Sequence, residues 1–194
     1  MINSKEVENI SDEELVILTL KNQDYFLFLI NRYKTKLFNY VRRITNIDPE
    51  DAEDVLQDVF IKIYLNLNDF DHGYKFSTWA YSITRNQVIS NFRKLKVRPE
   101  GNSISIDDKI ANRIAGSMNI EKDVDSAYLK VAICKILEKL KPKYSEVLML
   151  KYLEEKDYEE ISDIIKKPIG TVGSLINRAK KEFKNEFEKQ NIKL

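Results

Sequence analysis

The sequence predicts an all-α protein with two helical domains joined by a flexible linker. Apolar residues recur every three or four positions along most of the 194-residue chain, which is the period of a helix packed on one side. No stretch alternates apolar and polar residues long enough to indicate a strand. Periodicity fades after Pro99. We therefore predict a first domain over residues 1–98, a linker over 99–123 and a second domain over 124–194.

The composition is that of a soluble globular protein. Hydrophobic residues make up 43% and charged residues 32% of the chain, and the net charge is +1, so any surface for nucleic acid must be local. A single cysteine, Cys134, fits a reducing compartment. No apolar run is long enough to span a membrane, and the first residues lack the pattern of a signal peptide. We expect a cytoplasmic protein without membrane insertion.

The sequence carries no pattern typical of an enzyme. His72 is the only histidine, and neither metal-ligand spacing, a Gly-rich phosphate loop nor a nucleophile motif is present. The carboxylates cluster at helix starts, where capping and the helix dipole explain them. We expect no catalytic residue, no metal site and no cofactor.

Start and stop signals divide the first domain into helices. Ser11 followed by Glu14 matches a capping box, and Asp48 followed by Pro49 suits the N-cap and first position of another helix. Pro99 forbids continuation of the last one. The predicted helices cover about residues 12–20, 25–44, 49–67 and 77–96, with a loop over 68–75.

The predicted helix over 49–67 buries an apolar stripe and exposes an acidic face. Acids in the first turn favour the helix dipole, and that alone could explain them. The alternative is a docking face for a basic partner, because opposite charge steers association and fixes orientation. The residues of this face are Asp51, Glu53, Asp54, Gln57 and Asp58.

The segment from His72 to Pro99 contains no acid, and its helix is apolar on two sides. Such a helix is either buried between layers or offers one side to flat apolar ligands such as unstacked bases. The aromatic loop before it could hold a base turned out of the duplex, whereas core aromatics with a basic solvent edge are the alternative. The candidate DNA contacts are Phe70, Tyr74, Lys75, Trp79, Arg85, Asn86, Asn91, Arg93, Lys94 and Lys96.

The last two predicted helices, 158–165 and 169–189, form a helix-turn-helix because the turn between them is short. Asp157 and Glu160 resemble a capping box at the start of the first. The stripe Val172, Ile176, Ala179 and Phe183 can pack on that helix, which leaves an acid-free face suited to the major groove. A solvated face of a helical bundle is the alternative. The candidate DNA contacts are Thr171, Gly173, Ser174, Asn177, Arg178 and Lys181.

Two segments resemble the sigma-70-type sigma factors of RNA polymerase. The runs 51–60 (DAEDVLQDVF) and 76–86 (FSTWAYSITRN) are similar to their region two. The run 158–161 (YEEI), the run 168–172 (PIGTV) with Ser174, and the run 178–180 (RAK) are similar to their region four. Two such regions with only a linker between them resemble the extracytoplasmic-function (ECF) subgroup.

The resemblance implies a role for each surface. Core RNA polymerase would bind Asp51, Glu53, Asp54, Gln57, Asp58 and Phe60 through the clamp helices of its largest subunit. The segment 70–96 would open and read the −10 promoter element as single-stranded DNA, and the helix-turn-helix would read the −35 element as duplex. An anti-sigma factor is an expected partner.

The sequence departs from the family pattern at three positions. Lys166 stands where a glycine usually ends the first helix of the motif, and Gly173 and Leu175 stand where basic residues are frequent. From the residues alone, two other functions stay open: a stand-alone helix-turn-helix regulator and a protein-binding helical adaptor. A sigma factor should bind a promoter weakly alone and tightly with core polymerase, a regulator tightly alone, and an adaptor under neither condition.

Overall fold

The structure, a computed structural model, describes Val7 and residues 9–97 and 124–189, with the backbone only at 92–97 and 124–131. Within these ranges it contains eight α-helices and no strand, which confirms the predicted all-α class. The predicted linker over 99–123 lies outside the described residues. The predicted domain limits therefore stay predictions, and we call residues 9–97 the first unit and 124–189 the second unit.

The helices follow the predicted order closely. Short 3-10 turns at Gln23–Tyr25 and Leu67–Asp69 precede the second helix and follow the third. The third helix ends at Leu65, because the chain tightens into the second of these turns. The helices are α1 Asp12–Lys21, α2 Phe26–Thr45, α3 Pro49–Leu65, α4 Phe76–Val97, α5 Val124–Lys139, α6 Pro142–Tyr152, α7 Tyr158–Ile165 and α8 Ile169–Lys189.

Side-chain caps fix two helix starts as the sequence predicts. Ser11 Oγ accepts the N–H of Glu14 at 3.2 Å, and the Glu14 carboxylate accepts the N–H of Ser11 at 3.0 Å. Asp157 and Glu160 form the same reciprocal pair at 2.8 and 2.9 Å. Asp48 occupies the N-cap of α3, but its side chain does not bond to the first turn.

Helix α4 is the central element of the first unit and is buried on two sides. One side packs on α2 and α3, and the other faces α7 of the second unit. Tyr81 and Val88 are buried, as are the polar Thr78, Thr84 and Gln87. A helix that is apolar on two sides is either buried between layers or offers one side to a flat ligand, and this structure supports burial between layers.

The second unit places α8 across α6 and α7. Ile161 and Ile164 of α7 pack in one core with Val172 and Ile176 of α8, and all four are fully buried. The turn between the helices begins at Lys166, whose φ of 54° lies in the left-handed region that glycine usually occupies. A lysine thus makes the helix-turn-helix turn at the cost of some backbone strain.

Candidate polymerase and nucleic-acid interfaces

The acidic stripe of α3 is exposed and continues into apolar residues. Asp51, Asp54 and Asp58 follow one another at spacings of three and four, so they line one face of the helix, and all three are exposed. The same spacing continues to Ile61 and Leu65, which are 57% and 70% exposed. These five residues form what we call the docking face.

An apolar groove lies beside the docking face, between α2 and α3. It has a volume of about 690 Å³, and its walls include Leu27 and Ile30 of α2 with Ile61 and Leu65 of α3. Sequence reasoning missed Ile61 and Leu65 as surface residues. Extending the stripe 51–54–58 by the same spacing would have found them, because the helix continues through Leu65.

The other predicted polymerase contacts support this face in different ways. Glu53 and Gln57 are exposed beside it. Phe60 is half-buried and packs edge-on against Phe26, with ring centroids 6.4 Å apart. Asp58 accepts a hydrogen bond from Gln87 of α4 at 2.9 Å. The docking face is therefore held at a fixed angle to the helix that carries the candidate −10 contacts.

Three aromatic rings form a cluster at the start of α4. The ring of Phe70 lies 5.3 Å from that of Trp79 and 5.8 Å from that of Phe76, centroid to centroid. Phe70 is only 5% exposed, because burying its ring against two others is favourable. In this arrangement the ring of Phe70 packs against Trp79, and a direct contact of Phe70 with a base stays a prediction.

Trp79 is half-buried and lies between two cavities. One, of about 320 Å³, is lined by Asn66, Ile83 and Asn86 among others, all from the first unit. The other, of about 250 Å³, lies beside the aromatic loop and is lined in part by Asp163 and Lys166 of the second unit. In this arrangement the second unit therefore covers one side of Trp79.

The predicted basic contacts of α4 and of the loop before it are paired where their side chains are described. Lys75 Nζ lies 3.4 Å from the Glu160 carboxylate, and Arg85 Nε donates to Glu146 at 2.7 Å. Burial opposes the charge of Arg85, but the bond and charge of Glu146 outweigh it and raise the pKa of the guanidinium.

The remaining predicted contacts of this segment are polar side chains of the loop and of α4. Tyr74 and Asn86 are exposed, and Asn91 is half-buried. The side chains of Arg93, Lys94 and Lys96 lie outside the described residues. They stay candidate DNA contacts.

The outer face of α8 is open to solvent. The described exposed residues of this face are Thr171, Ser174, Asn177, Arg178 and Lys181. Gly173 is half-buried; a Cβ added there would lie 3.8 Å from the ring of Tyr158. Val172, Ile176 and Ala179 are buried on the opposite side, and Phe183, the last residue of the predicted packing stripe, is half-buried against the same core. Small polar groups and cations thus share the face that a duplex could reach.

Comparison with known proteins identifies the family. Residues 29–98 match Sigma-70 region 2, and residues 130–183 match Sigma-70, region 4. The ECF RNA polymerase sigma factor SigW of Bacillus subtilis is 32% identical, over 86% of this chain and 90% of that protein. The chain belongs to the ECF group of the sigma-70 family. The ECF sigma-E factor of Escherichia coli is similar as well, at 29% identity over 93% of this sigma factor and 96% of the relative.

Solved structures share the fold of this sigma factor. CnrH in complex with the cytosolic domain of CnrY matches with a TM-score of 0.66 at 22% identity, over 91% of this chain and 97% of that chain. The sigma factor RpoE of Bartonella quintana, in complex with the anti-sigma factor NepR, matches with a TM-score of 0.61 at 21% identity, over 84% and 96%. The overall fold of this chain is therefore shared with these two solved proteins over most of their length.

Membership of this family establishes the general function of the protein. This sigma factor directs RNA polymerase to promoters, and it binds core polymerase and promoter DNA. Sigma factors are regulatory transcription factors rather than catalysts. In the described ranges, no helix is both long and apolar enough to cross a membrane.

Proposed function

We propose that three separate surfaces carry the steps of initiation. The docking face on α3 binds core polymerase, the surroundings of Trp79 read the −10 element and help to melt it, and α8 reads the −35 element as duplex. The observation that carries this assignment is the separation of charge: the exposed acids line α3, whereas the acid-free outer face belongs to α8 in the other unit.

Polymerase binding uses charge and apolar contact together. Asp51, Asp54 and Asp58 attract a basic surface and orient it, with Glu53 and Gln57 at the edge. Ile61 and Leu65 then supply apolar area at the end of the same stripe. A partner that fits is a helix or helical hairpin with basic residues at one end and apolar residues at the other.

Reading of the −10 element centres on Trp79. Its half-exposed ring can stack on an unpaired base, and stacking contributes about 1–3 kcal/mol per base. Tyr74 on the loop and Asn86 on α4 are exposed nearby. Lys75, Arg85, Asn91, Arg93, Lys94 and Lys96 supply the polar and charged contacts to the strand, and Phe70 acts through Trp79. Holding an unstacked base would favour the melted state.

Reading of the −35 element uses the outward side chains of α8. Asn177 and the small residues Thr171, Gly173 and Ser174 are suited to base edges, while Arg178 and Lys181 reach phosphates. We further propose that residues 1–98 and 124–194 are the two domains, that 99–123 links them, and that the protein acts in the cytoplasm without enzymatic activity. An anti-sigma factor is a proposed partner, supported by the similar fold of RpoE bound to NepR.

A charge reversal tests the docking face. Asp54→Lys should abolish binding of core polymerase without loss of stability, because the side chain is exposed. The matched control is Glu159→Lys on the exposed surface of α7, which makes the same change of charge away from α3. The measurement is the affinity for fluorescently labelled core enzyme, and equal affinities for both variants would contradict the proposal.

Two substitutions on α8 separate base reading from phosphate binding. Asn177→Ala should change the preferred −35 sequence, whereas Lys181→Ala should weaken binding to all sequences and lower the slope of log K against log salt by about one unit. Selection from a randomised −35 library, with polymerase present, measures the sequence preference, and the affinity for one promoter fragment at several salt concentrations measures the slope. A uniform loss with Asn177→Ala would contradict base reading.

A further inference from the structure

The residue before α4 cannot cap this helix. Phe76 is the first residue of α4, and its N–H needs an acceptor because no earlier turn of the helix supplies one. Serine, threonine, aspartate or asparagine usually provides that acceptor from the position before the helix. Here the position is occupied by Lys75, whose side chain carries only donors. The N–H of Phe76 therefore depends on an acceptor from elsewhere in the fold.

Glu13 of α1 supplies this acceptor from 63 residues away along the chain. Its Oε1 accepts the N–H of Phe76 at 2.8 Å. Glu13 is half-buried, and Phe76 is only 1% exposed. A carboxylate at this place is favoured twice, because the bond is charge-assisted and because the helix dipole attracts a negative charge to its N-terminus. We call the bond between Glu13 and Phe76 the cross-cap.

Helix α1 is itself held in place beside α2. Asp12 forms an ion pair with Arg32 of α2 at 2.6 Å and accepts a hydrogen bond from the hydroxyl of Tyr33. Burial, followed by the bond to Asp12, raises the pKa of Tyr33 above its ordinary value, so this hydroxyl stays a donor. The ring of Tyr33 lies edge-on to that of Phe76, with centroids 5.2 Å apart. Two consecutive acids of α1 thus hold Phe76, one through its backbone and one through Tyr33.

The cross-cap fixes the end of the loop that carries candidate −10 contacts. The ring of Phe76 lies 5.8 Å from that of Trp79, centroid to centroid. Within the loop, the Asp71 carboxylate accepts the N–H of Gly73 at 2.8 Å, and the Asp71 carbonyl accepts the N–H of the exposed Tyr74 at 3.0 Å. The loop is therefore tight in itself, and the cross-cap determines how it is placed on α1.

We propose that Glu13 is a positioning residue for −10 recognition: it holds the start of α4 so that Trp79 and Tyr74 meet an unpaired base in a fixed arrangement. A preorganised site loses less entropy on binding, so affinity rises without a further contact to DNA. This inference rests on the proposed role of Trp79 at the −10 element. Glu13 and Phe76 both belong to the first unit, so the cross-cap does not depend on where the second unit lies.

Two substitutions at this one position separate the reach of the side chain from its charge. Glu13→Gln keeps the length and an acceptor oxygen but loses the charge, whereas Glu13→Asp keeps the charge and is shorter by one methylene group. If the hydrogen bond to Phe76 is what matters, Glu13→Gln should resemble the parent and Glu13→Asp should resemble Glu13→Ala. Circular dichroism locates the unfolding transition of each variant, and the measurements are made well below it.

The position of the loop can be measured without DNA. Trp79 is the only tryptophan of the chain, so quenching of its fluorescence by acrylamide reports the exposure of its ring. Exchange of the Phe76 amide hydrogen, followed by NMR, reports the cross-cap itself. Glu13→Ala and Glu13→Asp should speed this exchange about tenfold or more and increase the quenching, because a bond to a charged group is lost. Glu13→Gln should change both only slightly.

Binding of promoter DNA tests what the cross-cap does. The protein is the complex of this sigma factor with core polymerase, and the probe is a promoter fragment, selected with the parent complex, whose −10 element is held open as a preformed bubble. Affinity should fall about threefold to tenfold in Glu13→Ala and Glu13→Asp and stay near the parental value in Glu13→Gln. Affinity for a fragment that ends before the −10 element, and affinity of the sigma factor for core polymerase, should not change.

Failure of the cross-cap and failure of the −10 assignment give different results. Trp79→Leu tests the assignment, because it removes the flat ring and keeps an apolar side chain. If Trp79→Leu weakens binding of the bubble and Glu13→Asp does not, the positioning role is overturned and the −10 assignment stands. If neither weakens it, the −10 assignment fails as well. A loss in Glu13→Gln with none in Glu13→Asp would mean that charge acts instead of the hydrogen bond, which also overturns the positioning role.

Discussion

Leu65→Ser is the substitution that most sharply tests the apolar half of the docking face. Fully burying a leucine stabilises by about 1.5–3 kcal/mol, and Leu65 is 70% exposed before any partner binds. About two-thirds of that energy is therefore available at the polymerase interface, or about 1–2 kcal/mol. Affinity for core polymerase should fall by a factor of about 5–30, while stability changes by less than about 0.5 kcal/mol.

The assay is competition for labelled core enzyme at two salt concentrations. Leu20→Ser is the control, because Leu20 is another exposed leucine, 45% accessible, on α1. The loss caused by Leu65→Ser should persist at high salt, since apolar contact is not screened, whereas the effect of Asp54→Asn should shrink. If Leu65→Ser and Leu20→Ser bind equally well, the stripe ends at Asp58 and the docking face is purely electrostatic.

Three further predictions concern the helix-turn-helix and are checked by chemical denaturation. Gly173→Ala should stabilise by about 0.5–1 kcal/mol, because the new methyl group meets nothing closer than Tyr158 at 3.8 Å; a loss would mean that the site is tighter. Lys166→Gly should stabilise by about 0.5–1 kcal/mol by relieving the left-handed backbone, whereas Lys167→Gly should not. Burial raises the pKa of Glu160, but the capping N–H and neighbouring cations lower it below its ordinary value overall. Its contribution to the free energy of unfolding is therefore complete above the unfolded pKa and lost as pH falls through the lower native one, so the difference between parent and Glu160→Gln should shrink as the pH falls through the acid range.

Helices and caps could be predicted from the sequence because their signals are local. The capping pair Ser11–Glu14 needs only a spacing of three residues, and α7 and α8 begin and end where predicted. The helix-turn-helix also followed from the sequence despite Lys166, because the short turn and the apolar stripe outweigh a backbone strain of about 1–2 kcal/mol. A rule that requires glycine at the end of the first helix would have rejected this turn.

The pairing of Glu146 and Glu154 with arginines of the first unit and the burial of Phe70 could not be predicted in the same way. Glu146 lies within α6 and Glu154 just beyond its end. A solvated acid is the usual outcome at such positions, and nothing in their local sequence distinguishes them. Their partners are 61 and 111 residues away along the chain, at Arg85 and Arg43. From the sequence alone, Phe70 is expected to be an exposed aromatic residue of the loop. Contacts between distant segments determine the positions of Glu146 and Glu154, whereas Phe70 is buried by rings six and nine residues further along the chain, which the loop must first bring together.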